Sequence, residues 1–166
     1  MTQLNQIFTL LEKKMSMDFS SLEFRDVTFL PMKENDWLDT FLVHSIALKC
    51  RATLEKLIFS NCRFSEEYQR KAMINFVSNL LSNCYVLKHV DLGRSFDYGE
   101  LVHTKQARQD FTRLIMAALS NKMLRLTSLE LPYTPAVALR SDLLFNLLKK
   151  CRQTLRGLNL AHCNID

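Results

Sequence analysis

Glycine and proline are scarce in this chain, which has only three of each among its 166 residues. Flexible linkers are rich in these residues, so their scarcity argues against two domains joined by a tether and predicts regular structure with short connections. Three scattered glycines also argue against a glycine-rich loop that would hold a phosphate. We expect a single domain, because a chain of this length is long enough to bury a hydrophobic core.

Long hydrophobic runs and targeting signals are missing as well. No apolar stretch approaches the roughly 18–20 residues that a membrane-spanning helix needs, so no contact with a membrane is predicted. The first residues contain neither a basic stretch before an apolar segment nor a small-residue cleavage site, which argues against a signal peptide. Five cysteines without such a signal are typical of free thiols in a reducing compartment, and they predict a cytoplasmic or nuclear protein.

Motifs of catalytic and metal sites are also missing. The cysteines show no C-x-x-C spacing, and neither G-x-S-x-G nor H-E-x-x-H occurs. We therefore expect no catalytic activity, no metal and no other cofactor. The formal charge of +5 is mild, and no aromatic residues interleave with the basic residues of the C-terminal helices, so the pattern does not favour nucleic acid as a partner.

What the sequence does contain is one short sequence motif, called the phrase below, which occurs in five copies. LRGLNLAHCNI and LEKLIFSNCRF share the pattern apolar-x-x-apolar-x-apolar-x-x-Cys-x-apolar. LKHVDLGRSF and LTSLELPYTP keep the three apolar positions without the cysteine, and FSSLEFRDVTF is a weaker copy. Numbered 1 to 5 in chain order, the copies begin at Phe19, Leu54, Leu87, Leu126 and Leu155.

The copies and the segments between them predict alternating strands and helices. Each copy alternates apolar and polar residues, which indicates a short strand. Between the copies, apolar residues recur at i, i+3, i+4 and i+7, which predicts amphipathic helices over residues 35–50, 66–83, 105–120 and 139–151. Strand, helix and parallel strand in succession predict an α/β fold. We expect a solenoid of about five units, with a parallel sheet on its concave face and helices on its convex face.

The repeated phrase resembles leucine-rich repeats of the ribonuclease-inhibitor and cysteine-containing kind. The junctions KKCRQTLRGLNLAHC and LKCRATLEKLIFSNC are similar to the helix-to-strand junctions of F-box/leucine-rich-repeat proteins, and the resemblance extends from Phe19 to the end. It implies a non-catalytic protein–protein interaction module that recognises the substrates of a ubiquitin ligase, whose components are further possible partners. Two features depart from the family, because the intervals between copies are mostly longer than usual and no F-box is recognisable before copy 1.

Two other functions fit the same repeats. One is a scaffold or an inhibitor-type regulator of another intracellular protein. The other is an RNA-binding repeat domain that uses the basic C-terminal helices, whose affinity would fall steeply as the salt concentration rises.

The positions between the apolar residues of each strand are predicted to face outward, on the concave side. Asp91 and Glu130 occupy this position in adjacent copies, so parallel strands would hold them roughly 5 Å apart. They predict either a site for a Lys or Arg of a partner, or two solvated carboxylates that Lys56 or Arg94 balances. The residues predicted to contact a partner, on the strands and in the turns after them, are Lys56, Ile58, Asp91, Arg94, Glu130 and Tyr133.

A second candidate surface is the loop around Phe96 and Tyr98, which follows copy 3 and contains two of the three glycines. Inserted loops are frequent binding elements and tyrosine is a frequent anchor, so Tyr98 joins the predicted contacts. The alternative is a turn whose aromatic side chains cover the edge of the sheet.

The cysteines and leucines of the copies are predicted to be structural. Cys62 and Cys163 follow strands, and we expect their thiols to point inward and to bond nearby backbone. The other three cysteines lie at the predicted buried ends of helices, at Cys50, Cys84 and Cys151. The leucines expected between sheet and helices in copies 4 and 5 are Leu129, Leu131, Leu158 and Leu160.

The two ends of the predicted solenoid differ. Residues 1–18 predict an amphipathic capping helix, and the repeat domain covers 19–166 with its last unit incomplete. A final strand without a covering helix presents unpaired backbone groups, which predicts self-association through the edge formed by Leu155 to Ile165, or continuation in a longer protein.

Overall fold

A computed structural model of the chain describes Thr9 and residues 19–29, 40–64, 67–95, 105–134 and 140–163. These residues form an α/β structure in which strands and helices alternate. The elements are β1 (Ser21–Arg25), β2 (Thr28–Phe29), α1 (Thr40–Lys49), β3 (Lys56–Ser60), β4 (Arg63–Phe64), α2 (Glu67–Asn83), β5 (His89–Asp91), α3 (Lys105–Ser120), β6 (Ser128–Glu130), α4 (Ser141–Cys151) and β7 (Gly157–Asn159).

The main sheet contains five parallel strands in the order β1-β3-β5-β6-β7, so neighbours in the sheet are successive copies of the phrase. The backbone register aligns equivalent positions of the copies. One row across the sheet runs through Glu23, Ile58, Asp91, Glu130 and Asn159. The α/β class, the parallel sheet and the alignment of the copies are therefore confirmed.

The helices lie where the apolar periodicity predicts them, within a few residues in the described part of the chain. In α4, the buried side chains at Leu143, Leu144 and Leu147 form one stripe at helical spacing. Asp142 in its first turn and Lys149 in its last turn complement the helix dipole. The predicted capping helix lies outside the described residues except for Thr9, which is helical.

The core lies between one face of the sheet and the helices. Leu57, Val90 and Leu129, at equivalent positions of three strands, are buried in it together with helix residues such as Phe76 and Leu114. The opposite face of the sheet is called the outer face below. All five cysteines are buried free thiols, as predicted.

The prediction for the leucines of copy 5 is wrong in part. Leu129 and Leu131 of copy 4 are buried as expected, but Leu158 is 44% exposed and Leu160 is only partly buried against the core. β7 is the last element that the structure describes, so no described helix follows it to cover its inner face. An edge position alone does not explain the exposure, because Leu22 of β1, at the other edge of the sheet, is only 5% exposed.

A second, two-stranded parallel sheet pairs β2 with β4, and the sequence reasoning did not anticipate it. The rings of Phe29 and Phe64 stack there, with centroids 5.0 Å apart. Phe24 and Phe59 stack similarly in the main sheet, at 4.8 Å. Copies 1 and 2 both end in a phenylalanine at the same offset, which is the signal that could have predicted this pairing.

In each copy, the strand of the main sheet is followed by a turn that contains a residue in the left-handed backbone conformation. Among the described residues, five non-glycine residues have a positive φ, between 54° and 60°, namely Asp26, Asn61, Arg94, Tyr133 and His162. They occupy one position of the phrase and form a row along the carboxyl ends of the strands. This conformation costs a residue with a Cβ about 1 kcal/mol, so its fivefold recurrence marks a feature that the fold requires.

The residue after each left-handed position points inward in three copies and bonds the backbone of the preceding copy. The thiol of Cys62 donates to the carbonyl of Phe24 at 3.5 Å, and that of Cys163 to Leu131 at 3.0 Å. The hydroxyl of Ser95 donates in the same way to Phe59. Burial raises the pKa of both thiols, which keeps them protonated as donors. This confirms the inward role predicted for the turn cysteines.

Polar side chains also join the ends of neighbouring helices. Lys150 of α4 donates to the last carbonyls of α3, at Ala118 (3.0 Å) and Leu119 (2.9 Å), and also to the carbonyl of Asn121. The side chain of Asn121 in turn donates to the carbonyls of Leu81 and Cys84, at 3.0 and 2.9 Å. These donors satisfy carbonyls that a helix end leaves without an intrahelical partner.

Candidate partner-binding surface

A polar cavity of about 230 Å³ lies on the outer face of the sheet, across β3, β5 and β6. The strands place alternate side chains on this face, so the cavity contains residues that the core does not use. Its lining side chains are Arg25, Lys56, Ile58, His89, Asp91, Ser128 and Glu130. Four of the residues predicted to contact a partner are therefore brought together, namely Lys56, Ile58, Asp91 and Glu130.

Ile58 forms the apolar floor of this cavity. It lies on the outer face, as the alternation predicts, and yet only 4% of it is exposed. It does not belong to the main core cluster, and the cavity lining around it includes the charged side chains of Lys56, Asp91 and Glu130.

Next to the cavity, on the side of β1, Glu23 forms ion pairs with two neighbouring cations. Its carboxylate accepts hydrogen bonds from Lys56 Nζ and Ser21 Oγ, both at 2.8 Å, and from Arg25 Nε at 3.3 Å. The bond from Lys56, followed by that from Ser21, lowers the pKa of Glu23 to about 2. The charge of Lys56 is therefore already compensated within the chain.

Asp91 is held in place by the turn that follows its own strand. Its Oδ1 accepts the backbone N–H of Gly93 at 2.9 Å, and its Oδ2 lies 4.0 Å from Arg25 Nη1. Balance by Lys56 or Arg94 was one of the two alternatives that the sequence left open for Asp91 and Glu130. Both of those cations are engaged elsewhere, and Arg25 takes the role because the register places it within reach from β1.

Glu130 differs from the other carboxylates of the cavity. It pairs with Asp91 in the sheet register, as predicted, but its side chain has no hydrogen bond or ion pair with the described residues. On its other side the register places Asn159, which is neutral. The carboxylate of Glu130 is therefore the charge of the cavity that remains available to another molecule.

Arg94 and Tyr133 form a separate cluster at the carboxyl ends of the strands. The guanidinium of Arg94 lies 3.6 Å from the centroid of the Tyr133 ring, and His162 stacks on the same ring at 4.3 Å. Arg94 is therefore not directed into the cavity, in contrast to the predicted grouping. Tyr98 and the Phe96–Tyr98 loop lie outside the described residues.

Three residues of this surface are not among the predicted partner contacts. Arg25 directly follows the third apolar position of copy 1, and His89 and Ser128 occupy outward positions of copies 3 and 4. All three line the cavity. The outward alternation was a sufficient signal for His89 and Ser128, whereas the reach of Arg25 across β3 to Asp91 depends on its long side chain.

The described residues contain no group of three or more His, Cys, Asp or Glu side chains that could hold a metal ion. None of the helices described is long and apolar enough to cross a membrane. No family model, no curated protein and no solved structure matches this chain.

Proposed function

We propose that this chain is a leucine-rich-repeat solenoid that binds a protein partner on the concave face of its sheet and has no catalytic activity. Three features support the proposal. The strands follow one another in chain order, each turn has a left-handed residue at the same position, and inward donors of three turns bond the preceding strand. Regular stacking of one unit on the next is typical of repeat proteins.

The carboxylate of Glu130 supports binding through the outer face. The other charges of the cavity are compensated within the chain, whereas Glu130 has no partner among the described residues. A Lys or Arg side chain of a partner would pair with it, next to the second carboxylate at Asp91. Such a contact adds specificity, because a partner without the cation would leave these groups desolvated and unpaired.

The resemblance to F-box/leucine-rich-repeat proteins suggests the role that this binding serves. We propose that the partner is a substrate protein that the chain presents to a ubiquitin ligase. The alternative is a scaffold or inhibitor-type regulator, which would use the same surface without causing degradation of the protein it binds.

The binding surface is tested by Glu130→Lys, which reverses the available charge. The side chain makes no hydrogen bond or ion pair with the described residues, so the variant should fold like the parent. Asp91 stays unchanged, because its carboxylate also accepts the N–H of Gly93. Proteins captured from cell extract by the parent chain should be lost with Glu130→Lys, with at least tenfold less material retained as judged by quantitative mass spectrometry.

Glu67→Lys is the matched control. It makes the same change in charge at the start of α2, where Glu67 forms an exposed ion pair with Lys71. This variant should retain the partners of the parent. If Glu130→Lys captures the same proteins in the same amounts, binding does not depend on this face.

The proposed ligase role is tested on the captured proteins. Their half-lives are measured in cells with and without this chain, while protein synthesis is blocked. A substrate should persist longer when the chain is absent, and re-expression of the parent, but not of Glu130→Lys, should restore its turnover. Unchanged half-lives would favour the scaffold or regulator.

A further inference from the structure

Four described turns lead from a helix into the next strand, over residues 50–55, 84–88, 121–127 and 152–156. The strands that follow are parallel neighbours, so the turns lie in a row along one edge of the sheet. Backbone hydrogen bonds join them, from the amide of Tyr85 to the carbonyl of Arg51 and from that of Arg156 to Thr127. We call this row the amino edge, and it is separate from the cavity on the outer face.

The amino edge has an excess of positive charge. Its single carboxylate, Glu55, pairs with Lys88 at 2.8 Å. The remaining cations are exposed and form no ion pair in the part of the chain that the structure describes. They are Arg51, Lys122, Arg125, Arg152 and Arg156.

Large apolar side chains are exposed among these cations. Tyr85 is 41% exposed and its amide is bonded to the turn of Arg51, whereas Met123 is 62% exposed and directly follows Lys122. Neither side chain is part of the core cluster. A surface that combines unpaired cations with exposed apolar groups fits a ligand with both carboxylates and an apolar side chain.

We propose that the amino edge binds an acidic peptide segment of a partner protein. Four neighbouring strands extend over roughly 15 Å at their usual spacing. An extended peptide of about five residues covers that length. Its carboxylates would pair with the arginine and lysine side chains, and an apolar residue between them would contact Tyr85 or Met123.

Single-stranded nucleic acid fits the same charge less well. Binding of that kind uses successive aromatic side chains on which bases stack, and the four turns contain a single aromatic residue, Tyr85. The observations therefore favour a peptide over a nucleic acid.

The test uses a fluorescent hexapeptide with five glutamates and one leucine, and its binding to the whole chain is followed by anisotropy. The test variant combines Arg51→Gln, Lys122→Gln and Arg152→Gln, three residues whose side chains make no hydrogen bond in the described structure. The control combines Arg63→Gln, Lys105→Gln and Arg113→Gln, which remove the same charges from exposed positions away from the amino edge. Circular dichroism verifies that both variants keep the parent's fold.

We expect the test variant to bind the peptide about tenfold more weakly than the parent, since each exposed ion pair contributes little alone. The control should bind like the parent, and a peptide with glutamine in place of glutamate should not bind. An equal loss in both triple variants would overturn the proposal, because net charge would then explain it. Tighter binding of an RNA hexamer than of the acidic peptide would also overturn it, as would failure of the parent to bind the peptide.

Discussion

Copies 2 and 5 have the most similar sequences in the chain, and the structure treats them alike in one respect and differently in another. Both strands are parallel members of the main sheet, both turns have a left-handed residue, and both turn thiols bond the backbone of the preceding copy. Their burial is different, because Leu57 is fully buried in copy 2 and Leu158 is 44% exposed in copy 5. The phrase therefore specifies backbone conformation and register, whereas its neighbours determine how much stability it contributes.

The largest expected difference between the two copies is at these leucines. Leu57→Ala removes a fully buried side chain and should lower the free energy of unfolding by about 2–5 kcal/mol. Leu129→Ala, at another buried position of the same row, should cost a similar amount. Leu158→Ala should cost less than about 1 kcal/mol, since nearly half of the side chain already contacts solvent. Urea unfolding of the three variants measures this, and equal losses would contradict the comparison.

A loss of stability of intermediate size is expected on substitution of Cys62, whose thiol lies in the turn of copy 2. Cys62→Val keeps an apolar side chain but leaves the carbonyl of Phe24 without this donor, so it should cost about 1–3 kcal/mol. Cys62→Ser should cost less, because Ser95 already makes the same bond at the equivalent position of copy 3. Thermal unfolding should rank serine above valine. The reverse order would mean that the site requires apolar character more than a donor.

The smallest effects are expected at the left-handed residues. His162→Gly removes the strain of a Cβ, worth about 1 kcal/mol, and loses only a stack on Tyr133, so it should leave stability unchanged or raise it slightly. Asparagine tolerates this conformation, and Asn61 also donates to Asp26 at 2.6 Å. Asn61→Gly should therefore lower stability by about 1 kcal/mol. Melting temperatures that fall equally in both variants would contradict this difference.

The sequence was sufficient to predict the strands, the helices and the register, because each depends on a period that can be read along one copy. It was not sufficient for contacts that join three copies at once. Arg25 reaches Asp91 across β3, and no pairing of adjacent copies indicates this. The exposure of Leu158 also could not be read from its own copy, since the equivalent Leu22 and Leu57 are buried.

Three of the side-chain hydrogen bonds that join neighbouring units share a direction that matters while the protein is being made. Ser95 donates to a carbonyl of copy 2, Asn121 to the end of α2, and Lys150 to the end of α3, so in each case the donor is synthesised after its acceptor. A ribosome releases the chain from its N-terminus, so these three carbonyls emerge before the side chains that bond them. Backbone hydrogen bonds also run the other way, for example from the amide of Asn61 to the carbonyl of Gly93, so the contacts of one copy are complete only after the next copy has left the exit tunnel.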